Sequence, residues 1–340
     1  MRERDSWFIR IQDESNNEIF GLGEAAPLPG LSKEWNENFE LNLTHLIKQF
    51  NIEKLDIHKG DISLISKTII EKIPELLQFP SILFAFEMAL LDLRNGGKRV
   101  IFKNSFVDGK PIPINGLIWM SGMDQMLQQI EIKIREGFDC LKLKVGGLDF
   151  EKECDILQYI RRKYFKMNLT LRLDANGAFK EEEVMYKLHE LAKFDIHSIE
   201  QPIKPGLDQM VDICKDSPIS IALDEELIGV GNEEERTALL DKIKPQFIIL
   251  KPTLHGGLTG CQQWISIAEK MNIGWWMTSA LESNIGLNAI AQFTAEYNNG
   301  LPQGLGTGKI YEDNINSPLL VKKGNLSYTG SDNWGLLNFN

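Results

Sequence analysis

The sequence contains few of the residues that build disulfide frameworks or zinc sites. Its 340 residues include only four cysteines and five histidines. No Cys-x-x-Cys pair occurs, and the histidines form neither a His-x-His nor a His-Glu-x-x-His motif, so a disulfide scaffold and a zinc centre are not indicated. We expect reduced thiols, as in a cytoplasmic protein. The four cysteines are Cys140, Cys154, Cys214 and Cys261.

Long apolar runs and an excess of positive charge are also missing. The most apolar stretch, Phe79–Leu93, is interrupted by Glu87 and Asp92 and is shorter than the roughly 18 residues of a membrane span. The first residues carry no apolar segment typical of a signal peptide. A net charge of −11 argues against nucleic-acid binding, which usually needs a basic surface. An anionic substrate would therefore have to be attracted by local cations.

From about residue 111 onward, short β-branched segments alternate with amphipathic segments of helical periodicity. This alternation is typical of βαβ units with a parallel sheet, and eight strands suggest a closed barrel of about 200–250 residues. We therefore predict an α/β protein with a (β/α)-barrel over residues 111–308. The predicted strands are Pro111–Ile118, Cys140–Val145, Leu169–Asp174, Ile196–Gln201, Ile219–Glu225, Gln246–Lys251, Ile273–Ser279 and Leu301–Gly306.

The first 110 residues follow a different pattern. Trp7–Gln12 and Glu18–Leu22 are predicted strands separated by turn residues, and Gly21–Gly30 is a loop rich in glycine and proline. Mostly helical segments follow. After about residue 309 the chain returns to short strands and turns. We predict a small α+β capping domain that is formed by residues 1–110 and completed by residues 309–340.

Charged residues stand near the C-terminal ends of five consecutive predicted strands. Side chains alternate between the two faces of a strand, and in a barrel the apolar face meets the surrounding helices. In Cys140–Val145 the leucines take the outer face, so Lys142 and Lys144 point inward. The same rule directs Arg172 and Asp174 inward on the next strand.

The following three strands add inward charges by the same rule. They contribute Glu200, Asp224 and Lys251, whereas Glu225 has the opposite parity. One inward charge in a barrel is as often part of a structural ion pair as of a functional site, but five strands in register favour a functional centre. Three buried carboxylates on adjacent strands repel one another without a cation, and carboxylate oxygens suit Mg²⁺. Asp174, Glu200 and Asp224 together therefore form a candidate magnesium site.

Five short motifs give the chain a specific resemblance to a known family. They are Lys142-x-Lys144, Asp174-Ala175-Asn176, Glu200-Gln201-Pro202, Asp224-Glu225 and Leu250-Lys251-Pro252. In this order they resemble the motifs of the muconate-lactonizing subgroup of the enolase superfamily, and Gly23–Gly30 resembles the capping-domain loop of that subgroup. The resemblance covers most of the chain. It implies a modified TIM barrel, (β/α)7β, with an α+β capping domain.

The resemblance also implies roles for individual residues. Lys144 would be the acid–base lysine on the second strand, and Lys251 its counterpart on the sixth, a chemistry in which a lysine base works with Mg²⁺ on an enediolate. Gly21–Gly30 would be a lid over the barrel mouth. Three carboxylates would bind Mg²⁺, or Mn²⁺ in its place: Asp174, Glu200 and Asp224. Substrate-binding residues are predicted to be Lys142, Arg172, Asn176, Thr278, Ser279 and Glu282.

The segment after the seventh strand bears on the choice of reaction. Its pattern Ser-x-x-Glu-Ser-x-Ile-Gly, which begins at Ser279, resembles the o-succinylbenzoate synthases. Dipeptide epimerases usually carry Asp-x-Asp there, which holds the ammonium group of the substrate. The hydroxyls and backbone amides around Thr278 and Ser279 suit a carboxylate instead. A purely structural alternative is that Ser279 and Ser283 cap the following helix.

The expected activity is therefore the Mg²⁺-dependent dehydration of 2-succinyl-6-hydroxy-2,4-cyclohexadiene-1-carboxylate to o-succinylbenzoate in menaquinone synthesis. The alternative is epimerisation or racemisation of dipeptides or N-acylamino acids by the same two lysines. A more remote alternative is a non-catalytic binding protein on the same fold, which the intact charges on five strands disfavour. We expect a small anionic substrate as the partner, and neither a nucleic acid nor a membrane. The oligomeric state is left open.

Overall fold

The chain begins with an antiparallel hairpin that is covered by helices. The computed structural model describes residues 3–14, 16–53, 62–297, 299–330 and 334–335. The hairpin consists of β1 (Trp7–Asp13) and β2 (Asn16–Ala25). The helices that follow are α1 (Phe39–Ile52), α2 (Ile62–Lys72) and α3 (Pro80–Arg94), with a short 3₁₀ helix at Pro74–Gln78.

Glycines in β2 allow α3 to pack directly on the hairpin. A Cβ atom at Gly21 would lie 1.8 Å from the carbonyl oxygen of Ala89, and one at Gly23 would lie 1.9 Å from that of Ala85. Any side chain there would force the helix away from the sheet. The predicted loop Gly21–Gly30 is therefore wrong in its first half, because its glycines serve strand–helix packing up to the end of β2.

A parallel sheet of seven strands forms the main body of the protein. Each strand is followed by a helix, and the strands are hydrogen-bonded in chain order. The strands are β4 (Gly116–Ile118), β5 (Cys140–Lys144), β6 (Thr170–Asp174), β7 (Ser198–Glu200), β8 (Ile221–Leu223), β9 (Phe247–Leu250) and β10 (Gly274–Met277). The helices are α4 (Met123–Arg135), α5 (Phe150–Lys163), α6 (Val184–Ala192), α7 (Gln209–Asp216), α8 (Glu233–Ile243), α9 (Gly257–Lys270) and α10 (Asn284–Thr294).

The predicted eighth strand closes this sheet, although it is much shorter than Leu301–Gly306. Only Gln303 and Gly304 form parallel bridges. The carbonyl oxygen of Gln303 accepts a hydrogen bond from the backbone N–H of Asn115 at 2.9 Å, and the N–H of Gly304 donates to the carbonyl of Met277 at 2.8 Å. Seven βα units closed by one further strand confirm the predicted (β/α)7β barrel.

The C-terminal strands add to the segment that leads into the barrel. The predicted first strand, Pro111–Ile118, is divided into β3 (Ile112–Pro113) and β4. The strands β11 (Leu319–Lys322) and β12 (Asn325–Tyr328) form a three-stranded sheet with β3 in the order β11-β12-β3. In the described residues they do not pair with the β1–β2 hairpin. The proposed domain limits, with residues 309–340 completing the cap, remain a prediction.

Two further expectations concern the thiols and the membrane. All four cysteines are free thiols, and Cys140, Cys214 and Cys261 are buried. Within the described ranges, no helix has the length and apolar character needed to cross a bilayer.

Candidate active site

A cavity of about 150 Å³ opens at the C-terminal ends of the barrel strands. Of the charged residues that the sequence places on the inner face of the sheet, Lys142, Lys144, Asp174 and Lys251 line the cavity. Glu200 and Asp224 are buried and do not line it. Lys144 and Lys251 approach from opposite sides, because the second and sixth of eight strands face each other across a barrel. The lining residues with charged or amide side chains are Asn115, Lys142, Lys144, Asp174, Asn176, Glu225 and Lys251.

The two lysines of β5 contact carboxylates on the neighbouring strands. Lys142 Nζ lies 2.9 Å from Asp174 Oδ2 and 2.6 Å from Glu200 Oε2. Lys144 Nζ lies 2.7 Å from Asp174 Oδ2 and 2.5 Å from Asn176 Oδ1. Lys142 is almost completely buried, whereas the Lys144 side chain is 21% exposed. Both lysines line the cavity, and Lys144 is the more exposed of the two and therefore the more accessible to a bound molecule.

Lys251 pairs with the third carboxylate. Its ammonium group donates a short hydrogen bond to Asp224 Oδ2, and both side chains are buried. The other oxygen of that carboxylate, Oδ1, is buried and has no hydrogen-bond partner in the described part of the chain. A buried carboxylate oxygen without a partner is costly unless a cation or a donor reaches it.

Burial and the close charges shift the pKa values of this cluster. Burial and the neighbouring Asp174 raise the pKa of Glu200 to about 8. Burial acts to raise the pKa of Asp174 as well, but Lys142 and Lys144 outweigh it, so the pKa lies below its ordinary value. Burial opposes the charge on Lys251, yet Asp224 outweighs that effect and raises the pKa. Lys251 therefore keeps its proton at neutral pH.

Glu225 corrects the parity argument at one position. The sequence predicts Asp224 inside and Glu225 on the opposite face, but both side chains belong to the site. Glu225 lines the cavity, and its Oε1 accepts a hydrogen bond from Asn176 Nδ2 at 2.9 Å. The reason is that β8 ends at Leu223 and the backbone at Asp224 leaves the extended region, with φ −123° and ψ −80°. Alternation no longer applies beyond that residue.

Gln201 fixes the end of β8 to the end of β7. Its Oε1 accepts hydrogen bonds from the backbone N–H groups of Asp224 and Glu226, each at 3.2 Å. Its Nε2 donates to the carbonyl of Ile203 at 3.0 Å. The Glu-Gln-Pro motif was the sequence signal for this residue, and its structural contribution is to hold the backbone that carries Asp224.

The polar side chains after β10 fall into two groups: some are bonded within the protein, and others line the cavity. The carboxylate of Glu282 is buried and accepts hydrogen bonds from the hydroxyls of Ser279, at 2.6 Å, and Thr253. Glu282 does not line the cavity and instead orients Ser279, and its predicted contact with the substrate stays a prediction. Ser283 does cap α10, because its hydroxyl accepts from the N–H of Ile285 at 3.2 Å. Thr278 and Ser279 both line the cavity.

Arg172 does not take the expected position at the substrate cavity. Its guanidinium lies 3.8 Å from the ring centroid of Trp276 and donates to the carbonyl of Pro302 at 2.7 Å. Arg172 stands two residues before the end of β6, so its side chain lies one layer deeper in the barrel than Asp174. It stacks within the core and supports the closing strand.

A model of the family described as Enolase C-terminal domain-like matches residues 125–335 of this chain. The match covers the barrel from within α4 onward and includes every charged residue that lines the cavity. The chain belongs to the enolase superfamily. The curved parallel sheet, its closure and the inward charges agree with the fold that the resemblance implied.

Relatives within the enolase superfamily favour one activity. The chain is 43% identical to the o-succinylbenzoate synthase of Desulfotalea psychrophila, over 95% of this chain and 92% of that protein. A crystal structure of MenC from Desulfotalea psychrophila matches with a TM-score of 0.85, over 95% of this chain and 94% of that one. The L-Ala-D/L-Glu epimerase of Bacillus subtilis is 25% identical, over 96% of this chain and 86% of that protein. These similarities support a hydro-lyase over an epimerase.

Enolase superfamily members generally use a divalent metal ion, and the donor set here fits one. Asp174, Glu200 and Asp224 are buried, end adjacent strands and offer oxygen donors only, with Asp224 Oδ1 unpartnered. The ammonium groups of Lys142, Lys144 and Lys251 lie among these carboxylates. In this arrangement no three His, Cys, Asp or Glu side chains of the described residues form a ready metal-binding group. A bound cation would have to displace part of this ion pairing.

Asn115 and Thr307 line the cavity but were missed at the level of sequence, whereas Thr278 was predicted. Thr278 Oγ1, Asn115 Oδ1 and Thr307 Oγ1 are buried without hydrogen-bond partners among the described residues. All three atoms belong to cavity-lining residues and can bind polar groups of a substrate. Asn115 shares the inward parity of the first strand, which was a usable signal, whereas Thr307 lies in an irregular segment. The apolar lining comes from Leu28, Leu31, Leu117, Trp119 and Leu281.

Proposed function

We propose that this protein is an o-succinylbenzoate synthase that converts 2-succinyl-6-hydroxy-2,4-cyclohexadiene-1-carboxylate into o-succinylbenzoate and water. The 43% identity to a synthase over 95% of the chain supports this assignment. The observation that carries the chemistry is that Lys144 and Lys251 line one cavity from opposite sides, above three buried carboxylates. The product would serve menaquinone synthesis.

The carboxylates are proposed as ligands of Mg²⁺. Asp174, Glu200 and Asp224 supply only oxygen donors, which Mg²⁺ prefers and which Mn²⁺ also accepts. When bound, the cation supplies positive charge that offsets the negative charge developing on the substrate carboxylate.

Lys144 is proposed as the single acid–base group. Its neutral amine takes the proton from the ring carbon that bears the carboxylate, and the resulting ammonium group gives that proton to the departing hydroxyl. The C–H and C–O bonds break, the ring becomes aromatic and one water leaves. The partial exposure of Lys144 at the cavity supports this role, since a fully enclosed amine could not reach both atoms.

Lys251 is proposed to remain protonated. Asp224 holds its ammonium group at the cavity, and the raised pKa favours the charged form. Its positive charge would stabilise the enediolate formed when the substrate loses its proton. Thr278 would donate a hydrogen bond to a substrate carboxylate, whereas the hydroxyl proton of Ser279 is already donated to Glu282. Asn176 would keep Lys144 in place.

The proposed activity can be tested directly with purified protein. We expect Mg²⁺-dependent formation of o-succinylbenzoate from the cyclohexadiene substrate, lost with EDTA and restored by Mg²⁺. The same preparation should be assayed with L-Ala-L-Glu and with N-acylamino acids. Turnover of dipeptides alone would contradict the assignment and favour the epimerase alternative. The 25% identity to an epimerase is the reason for including dipeptides in the test.

A further inference from the structure

A second cavity, of about 320 Å³, lies between the cap and the barrel. It shares no lining residue with the active-site cavity. Its walls come from the segment after β2, from α2 and α3, and from the loops that follow β8 and β9. Small-molecule sites usually have volumes of about 300–1,000 Å³, and an apolar cavity of about 150 Å³ already accommodates benzene. The second cavity is therefore large enough for a small organic ligand.

A buried arginine lines this cavity without a carboxylate partner. The side chain of Arg236 is almost fully buried, and its hydrogen bonds go to the carbonyl of Gly260 at 3.1 Å, Gln263 Oε1 at 2.6 Å and the carbonyl of Val230 at 3.4 Å. In the described part of the chain it forms no salt bridge with any Asp or Glu. Burial lowers the pKa of Arg236, as expected for a charge without a counterion.

A buried histidine offers a second donor to the same cavity. Nδ1 of His255 accepts a hydrogen bond from the backbone N–H of Lys251 at 2.9 Å, so the ring proton is on Nε2. Burial, Lys251 and Arg236 lower the pKa of His255 well below its ordinary value, so the ring is neutral. Nε2 is buried and has no hydrogen-bond partner among the described residues. Among the described residues, the site thus has one buried cation without a counterion and one unused N–H donor, and the exposed Lys33 lies at its edge.

We propose that this cap–barrel cavity binds a small aliphatic carboxylate, with Arg236 and His255 as its donors. A guanidinium group binds a carboxylate through two parallel hydrogen bonds, and the bound carboxylate would supply the counterion that buried Arg236 lacks among the described residues. The buried carboxyl group of Glu34 lines the same cavity, and when ionised it repels a doubly charged anion such as phosphate more strongly than a singly charged carboxylate. Apolar side chains would surround the aliphatic part: Ile70, Leu83, Ile228, Val230 and Leu254.

The test is calorimetric titration of the full-length protein with sodium valerate. Valeramide, which has the same shape without the charge, and inorganic phosphate serve as comparison ligands. We expect saturable binding of valerate and at least tenfold weaker binding of both comparison ligands. Valeramide binding as tightly as valerate, or phosphate binding more tightly, would overturn the proposal.

Three variants connect binding to the cavity. Arg236→Gln should weaken valerate binding at least tenfold, whereas Arg236→Lys keeps the charge and should lose less. Arg161→Gln is the matched control, because Arg161 also binds backbone carbonyls, of Leu169 and Phe194, but does not line the cavity. Equal binding by wild type and Arg236→Gln contradicts the proposal. Should the Arg236 variants not fold, a crystal of the wild type soaked in valerate decides, since no carboxylate density at Arg236 is equally contradictory.

Failure of this proposal can be distinguished from failure of the proposed activity. Binding is measured without the cyclohexadiene substrate, and Arg236 does not line the active-site cavity. The dehydration assay and the valerate titration can therefore give opposite results.

Discussion

Lys142 Nζ lies 2.6 Å from Glu200 Oε2 in the buried interior of the barrel, and the strand of the lysine is two strands away from the strand that carries the glutamate. The same ammonium group lies 2.9 Å from Asp174. One lysine thus holds together two carboxylates that repel each other. This pairing explains how the cluster is tolerated when its own lysines are the only nearby cations.

Removing that ammonium group should destabilise the protein. We expect Lys142→Met to lower the free energy of unfolding by about 3–5 kcal/mol in EDTA, because Glu200 loses its lysine partner and Asp174 keeps only Lys144. Added Mg²⁺ should stabilise the variant more than the wild type, since a cation can replace the missing charge. Urea unfolding with EDTA and with Mg²⁺ measures both effects.

Lys133→Met is the matched control for this prediction. Lys133 lies 2.8 Å from Glu136 at the partly exposed C-terminal end of α4, where an ion pair contributes at most about 1 kcal/mol. A loss of less than 1 kcal/mol in Lys142→Met, or an equal loss in both variants, would show that the buried pairing does not stabilise the fold as argued.

Substrates with a free ammonium group should bind poorly. The carboxylate of Glu282 is held by Ser279 and Thr253 and is not available to a substrate cation. We expect L-Ala-L-Glu to inhibit dehydration about 5–150-fold more weakly than its N-acetylated form, which corresponds to about 1–3 kcal/mol for an unpaired charge. Inhibition constants for the two peptides measure the difference. Tighter binding of the unmodified dipeptide would refute this account of specificity.

The buried Glu34 should make the stability depend on pH. Burial raises its pKa from 4.5 to about 7, so the folded protein binds this proton more tightly than the unfolded chain. The proton on Glu34 therefore makes its full contribution to the free energy of unfolding below about pH 4.5. This contribution is lost as the pH rises through about 7. In Glu34→Gln this loss should be absent, which reduces the change in unfolding free energy between about pH 5 and 8 by at most about 3 kcal/mol. Identical pH profiles of both proteins would contradict the prediction.

Strand parity predicted most of the active site. The alternation rule placed Lys142, Lys144, Asp174 and Lys251 inside the barrel because each lies on a regular strand or directly after one, where neighbouring side chains still alternate. It failed at Glu225, because β8 ends two residues earlier and the backbone turns into a short 3₁₀ helix. Sequence periodicity carries no information once the extended backbone ends.

The sequence could not predict how deep a side chain lies in the barrel or which residues of the cap reach the cavity. Parity correctly turned Arg172 inward, but it could not show that this side chain lies beneath the cavity and stacks on Trp276. Leu28 and Leu31 reach the active site from the segment after β2, a contact set by how the cap packs on the barrel. Glu282 matched a family pattern, yet its carboxylate is used within the protein.

The two lysines provide the most direct test of the central claim, which is dehydration by one acid–base group. Lys251→Arg keeps the positive charge and should retain more activity than Lys144→Arg, although the larger planar group will reduce it. Lys144→Ala should lose both dehydration and exchange of the substrate α-proton with solvent. Circular dichroism would confirm that each variant is folded.

The decisive measurement is the dehydration rate and the α-proton exchange, followed in deuterated water, for the wild type, Lys144→Arg and Lys251→Arg. The single-base mechanism predicts that dehydration and exchange both depend on Lys144 and persist in part in Lys251→Arg. If the two arginine variants are equally inactive in dehydration, and each blocks exchange from only one enantiomer of an N-acylamino acid, then both lysines act as bases and the single-base mechanism is contradicted.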